Sequence, residues 1–184
     1  MQLNLITTIE EQISVRFTGK VNILSNFNRQ YLGDILFKDG ELIQVIFQAH
    51  KGLKAFYQVA IQEFTLHSLQ YIVEPEVVED KERQIHFPFG VIKNRLNDVL
   101  QQYQASIKLR PPENVKILIN SDFISSTQPV NSLEFQVLDV LTEWSAVNDV
   151  YQQCELLDHE ITNSLVSLRK KGALKIIAPA SKPS

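Results

Sequence analysis

The dipeptide Asp39-Gly40 constrains the fold of this chain more than any other feature. It lies between two apolar runs, "QYLGDILFK" and "ELIQVIFQ". Asp-Gly tolerates the positive φ angles that a two-residue type I′ turn demands, so the runs read as an antiparallel hairpin. Both are apolar at nearly every position, which predicts cover on both faces. "FTGKVNILSN" adds a β-prone run after a break at Gly19. Gly52 interrupts the chain after the hairpin. Leu53, Phe56, Tyr57, Ala60 and Ile61 then recur at the spacing of one apolar helix face. "EFTLHSLQ" alternates and reads as a further strand. "YIVEPEVVEDKERQ" is polar and acidic, and reads as a loop or a loosely attached edge.

The flanking segments are helical in pattern. Ile6, Ile9 and Ile13 are spaced for one helix face, although "ISVRF" also suits a strand. "FPFGVIKNRLNDVLQQYQ" carries Phe89, Ile92, Leu96, Val99, Leu100 and Tyr103 on one side, with Pro88 where a helix can start. "RPPE" ends that helix, because a residue before proline disfavours the helical region. "VKILIN" reads as a short strand in a connector otherwise rich in turn formers. Asn131 and Glu134 have capping-box spacing and open the first helix of the last third. Ser145 and Asp158 are candidate caps for two more. Val147, Val150, Tyr151 and Cys154 share one face, and Ile161, Leu165 and Leu168 share another. Arg169, Lys170 and Lys171 suit a helix C-terminus, and Gly172 suits the position after it. "ALKIIAP" reads as a terminal strand and "ASKPS" as a mobile tail.

The expected architecture is α+β: an antiparallel β hairpin or sheet with packed helices, then a small winged-helix domain. Residues 1–110 form the first domain, 111–131 the connector and 132–184 the winged-helix-like domain. At 184 residues with 44% hydrophobic and 21% charged side chains, the chain can bury a real core. Its formal net charge of -3 lacks the basic excess of a nucleic-acid binder. A single cysteine, Cys154, precludes an internal disulfide and fits a reducing compartment. No apolar run approaches the roughly 18 residues of a membrane span. "MQLNLITTIEEQ" lacks the order of a secretion signal, so a cytoplasmic protein is expected.

Residues 17 to about 105 resemble the PATAN domain, a bacterial signalling domain. The resemblance rests on Thr18-Gly19, on "GDILFKDGELIQV" with Gly33, Phe37, Asp39 and Gly40, and on the helix with Gly52, Ala55 and Phe56. A closing "F.L" strand (Phe64, Leu66) and a trailing amphipathic helix complete it. It implies a non-catalytic module that acts by protein contact, often beside receiver domains and in motility or development. This chain lacks the acidic pocket of a receiver. Residues 132–184 are similar to a winged helix-turn-helix, with "ITNSLVSLRKKGALKI" as recognition helix and wing.

No residue pattern points to catalysis, a cofactor or a metal. The glycines at 19, 33, 40, 52, 90 and 172 follow no phosphate-binding spacing. Cys154 completes an apolar face and reads as core. His50, His67, His86 and His159 read as surface or satisfied histidines, with no triad placed by sequence around His67 and His86, and His159 is expected on an exposed helix face. The candidate interaction surface comprises His159, Glu160, Asn163, Ser167, Lys170, Lys171 and Phe87. Phe87, in "HFPFG", would anchor a partner if exposed beside its proline. DNA binding through the last helix is disfavoured, because Asp158 and Glu160 would face phosphates. A protein partner is the expectation, a receiver-domain or motility protein by resemblance. A homodimer is compatible with it. A small-ligand sensor ranks last, since no ordered polar set is visible to orient a ligand.

Overall fold

A computed structural model describes residues 3–177, so the expected "ASKPS" tail lies outside the described residues. The chain is α+β and divides into two units, Met1–Leu100 and Gln101–Ser184.

The first unit is built on a five-stranded antiparallel sheet in the order β4-β3-β2-β1-β5. Its strands are β1 (Gly19–Ser25), β2 (Tyr31–Lys38), β3 (Glu41–Phe47), the short β4 (His50–Lys51) and β5 (Leu69–Pro75). The β2–β3 turn takes φ values of 51° at Asp39 and 82° at Gly40, the paired positive angles that the dipeptide favours. The turn is also fastened from outside. The Asp39 N–H donates to Thr18 Oγ1 at 2.9 Å and the Gly40 N–H to the Phe17 carbonyl at 2.9 Å. A Cβ at Gly40 would lie 2.9 Å from Arg16 Cα. Thr18-Gly19 and Asp39-Gly40, distant in sequence, thus form one corner.

Helices α1 (Asn4–Ser14) and α2 (Gly52–Leu66) pack on β3 and on each other. Ile23, Ile35, Phe37, Ile43, Val45 and Phe47 of the sheet are buried, as are Leu5, Ile9, Phe56 and Val59 of the helices. Burying each such side chain contributes about 1.5–3 kcal/mol before chain entropy is charged against it. The expectation of cover on both faces holds along most of β3, where even Gln44 is buried, but β2 is fully buried only at alternate positions.

One expectation is corrected here, and one of two alternatives is decided. Phe64–Leu66 finishes α2 rather than forming a strand, and His67 ends that helix in the left-handed region with φ 47°. The buried face of the helix continues to Glu63, and the Thr65 hydroxyl donates back to the Ile61 carbonyl at 2.8 Å, so the helix outcompetes the alternation. Tyr71–Pro75 belongs to a full edge strand, β5, paired along its whole length with β1.

Glu63 explains how α1 is anchored. Helix α1 has no side-chain cap of its own and no acidic residue in its first turn. The buried Glu63 carboxylate accepts the Asn4 and Leu5 N–H groups at 2.9 and 3.0 Å, and the Tyr71 hydroxyl at 3.2 Å. It completes orphan donors and complements the positive helix end. Burial first, and the Glu63 carboxylate second, push the Tyr71 phenol up. E63A is expected to destabilise the first unit by about 2 kcal/mol. Urea unfolding followed by circular dichroism checks this.

The helix α3 (Phe89–Ser106) starts just past Pro88 as expected and runs across the boundary between the units. In the first unit its Ile92, Leu96 and Val99 are buried.

The second unit holds β6 (Lys116–Ile119), α4 (Ser121–Ile124), α5 (Ser132–Glu143), α6 (Val147–Gln153), α7 (Asp158–Lys170) and β7 (Leu174–Ile177). β6 pairs antiparallel with β7, from Lys116 opposite Ile177 to Ile119 opposite Leu174. Residues 115–119 are therefore part of this unit's structure rather than a bare connector, and Val115 and Ile117 enter its core. Val137, Leu141, Val147, Val150, Tyr151, Cys154, Ile161, Leu165 and Leu168 make up most of the rest.

The Asn131–Glu134 capping box forms in both directions at 2.8 Å. The two other expected caps shift. Ala146, not Ser145, precedes α6, and Leu157 precedes α7, whose first residue is Asp158. Arg110 draws the Asp158 carboxylate away at 2.8 Å, and Glu160 accepts the Leu157 N–H at 2.9 Å instead. Gly172, with φ 73°, closes α7 as its position suggested.

Candidate functional site

The first unit carries a cleft of about 540 Å³ between α1, the β2–β3 turn and the segment leading into α3. A local irregularity in the sheet builds it. Between Leu36 and Phe37 the β2–β3 register shifts, leaving Ile43 as an extra residue on β3. The Ile43 carbonyl accepts the N–H groups of both Gln84 and Ile85, at 2.8 and 2.9 Å. These bonds pin the chain just before "HFPFG", so the motif is held at the cleft wall.

The two phenylalanines of that motif have different surroundings. Phe89 is half-buried, and its ring meets Phe56 edge-on with centroids 6.1 Å apart. Phe87 lines the cleft and is 55% exposed. Pro88 between them fixes φ and so limits how far the exposed ring can wander. Ile13, Leu42 and Ile85 supply apolar lining. The charged lining is internally matched. Lys93 pairs with Glu10, and Arg83 pairs with Glu41 at 2.9 Å. His86 also lines the cleft and is exposed. The matched pairs leave an apolar recess with a nearly neutral charged border and an aromatic at its mouth. Such a border is sequence-silent, since its members come from distant segments.

The residues nominated on the last helix belong to the second unit, whereas Phe87 belongs to the first. Asn163 and Lys170 are exposed on α7, as is Arg169. His159 is not: it is 3% exposed, which corrects the expectation of an exposed face, and its Nδ1 has no hydrogen-bond partner among the described residues. Burial lowers its basicity, against the raising influence of the Glu160 and Asp158 carboxylates.

Ser167 and Lys171 are tied to the interior. The Ser167 hydroxyl donates to Glu134 Oε1 at 2.7 Å, and Lys171 Nζ donates to Glu134 Oε2 at 2.7 Å and to the Pro129 carbonyl at 2.9 Å. Glu134 is 1% exposed, so this is a buried carboxylate at the centre of a network joining α5 to the end of α7. Burial alone would raise its pKa; the Lys171, Ser167 and Asn131 donors together bring it below the usual carboxylate value. Glu160 is half-buried and caps its own helix. Arg110 pairs with Asp158 and stacks over the Tyr151 ring at 4.0 Å. Sequence reading missed the Glu134 hub, although the Asn131–Glu134 spacing pointed to one of its bonds.

Among the described residues, no three His, Cys, Asp or Glu groups converge as metal ligands. No helix among them is long and apolar enough to cross a membrane. Compared with protein-family models, curated proteins and solved structures, the chain matches none.

Proposed function

We propose that this chain is a non-enzymatic cytoplasmic signalling adaptor of bacteria that acts by binding another protein through the first unit's cleft. One observation carries the reading: Phe87 stands 55% exposed on a proline-fixed turn at an apolar recess. Rigid aromatic anchors beside pockets are the usual centres of protein recognition. The resemblance to PATAN domains supports it and suggests a receiver-domain or motility protein as the partner. The second unit is read as a winged-helix-like module with a structural or protein-binding role.

The alternative is a DNA-binding regulator that uses α7. It is favoured by the exposed Asn163, Arg169 and Lys170 and disfavoured by the adjoining acidic side chains. Affinity capture of the tagged chain from its host lysate, with and without nuclease, separates the two. A specific protein that survives nuclease and binds F87A at least about tenfold more weakly is the expected result. Capture of DNA alone, abolished by nuclease, would favour the regulator. Equal capture by F87A would remove the cleft from the reading. The fold should tolerate F87A within about 0.5 kcal/mol, because an exposed ring contributes little to stability.

A further inference from the structure

We propose that the chain forms a two-fold homodimer by antiparallel pairing of β5 with β5 of a second copy, centred on Ile72. The two edges of the first unit's sheet are unequal. One is β4, of two residues; the other is β5, of seven, which pairs only with β1 in the described sheet. Proteins blunt free edges with lysine, proline, bulges or short strands, because unpaired backbone groups recruit other strands. β5 has none of these along its middle. Its register with β1 is unbroken from Leu69 to Pro75, it contains no lysine, and its one proline is its last residue. Ile72 and Val73 are 43% and 42% exposed.

The strand is complementary to itself. Ile72 is the central residue of Leu69–Pro75, so a two-fold axis there overlaps the strands completely. Ile72 then faces Ile72 of the second copy on the face away from the buried core. Tyr71 faces Val73 of the second copy on the other face, an aromatic–β-branched pair of the kind that stabilises sheets. Gln70 faces Glu74 of the second copy, so no carboxylates oppose each other directly. Within its own chain Glu74 bonds Asn22 at 2.9 Å and approaches Lys20 at 3.6 Å, both through Oε2. The Gln70 amide would reach Glu74 through Oε1, the oxygen that makes neither of these contacts. Shifting the axis to Tyr71 or Val73 shortens the overlap and sets Gln70 or Glu74 against Ile72. One strand pair is a small interface, below the roughly 1,200 Å² typical of stable complexes, so the dimer is reversible.

Sedimentation equilibrium of the full chain across a concentration series tests this. The wild type is expected to show a monomer–dimer equilibrium. I72K, which sets like charges on the axis, should weaken it at least about tenfold, while I124K, an exposed change in the second unit, should not. Q70K should tighten it and Q70E should weaken it, each by about threefold. I72C should cross-link to itself under mild oxidation, because directly opposed strand residues lie within disulfide reach. Circular dichroism confirms that each variant is folded. A wild type that stays monomeric at the highest attainable concentration overturns the proposal. So does a dimer that ignores I72K, or one that moves the same way with Q70K and Q70E.

Discussion

G33A is expected to unfold most of the first unit, with a loss of about 4 kcal/mol or more. Gly33 lies in β2 opposite Ile23 of β1 and Phe47 of β3. An added Cβ would sit 2.0 Å from the Ile46 carbonyl oxygen and 2.9 Å from Phe47 Cα. These are backbone atoms of a paired neighbour strand, so no side-chain rotation relieves the clash. The sheet must open at its centre, and the loss is comparable with the whole stability of many domains. G90A is the natural control. It lies in the first turn of α3, where an added Cβ meets nothing within 4 Å. There alanine should stabilise by about 0.5–1 kcal/mol through helix propensity and a less flexible unfolded chain. Thermal and urea unfolding of both variants would decide it; a G33A protein as stable as wild type would refute the assigned strand packing.

E134A is expected to cost the second unit about 3 kcal/mol. Removing this carboxylate strands the Ser167 hydroxyl, the Asn131 N–H and the Lys171 ammonium together. The figure is kept at the low end for a buried pair because Lys171 is 30% exposed and regains water. Combining E134A with K171A should cost less than the sum of the two, which a double-mutant cycle measures.

The same hub sets an acid limit. Glu134 has its folded pKa held below the usual 4.5, so its stabilisation is present above that pH and is lost as pH falls through the lower folded value. His159 acts earlier. Its folded pKa is lowered from 6.5, so below about pH 6.5 the unfolded chain takes up a proton that the folded chain resists. Stability should therefore begin to fall near pH 6.5 and fall further below pH 4.5. H159Q should remove the first step and leave the second. An unchanged pH profile in H159Q would show that His159 is not the group responsible.

Much of the local structure was legible in the sequence for reasons that act over a few residues. Asp39-Gly40 carries its turn in its own backbone preferences. The faces of α6 and α7 follow from apolar spacing, and the Asn131–Glu134 box forms as its spacing implies. The reading failed where two periodicities coexist over a short run. Phe64, Leu66 and Ser68 alternate, yet Phe64 and Leu66 extend α2, because a helix already under way gains a bond with each added residue. His159 failed differently. Its neighbours are polar, but burial depends on what packs over the helix, and no local pattern reports that.

The candidate sites divide along the same line. That "HFPFG" held an unusual aromatic pair was readable; that Phe87 faces out while Phe89 meets Phe56 was not. Ser167 and Lys171 looked like surface groups until Glu134, 33 and 37 residues away, came within 2.7 Å. By itself the sequence determined the turn, the helix faces and the apolar runs that make a buried sheet, since each rests on backbone geometry and spacing over one element. Only the tertiary structure decided which strands lie at the sheet edges, which charges are consumed in pairs and where the bulged Ile43 carbonyl fastens the cleft wall. Those outcomes depend on groups distant along the chain meeting in space, and the free energy of such meetings is written in no single segment.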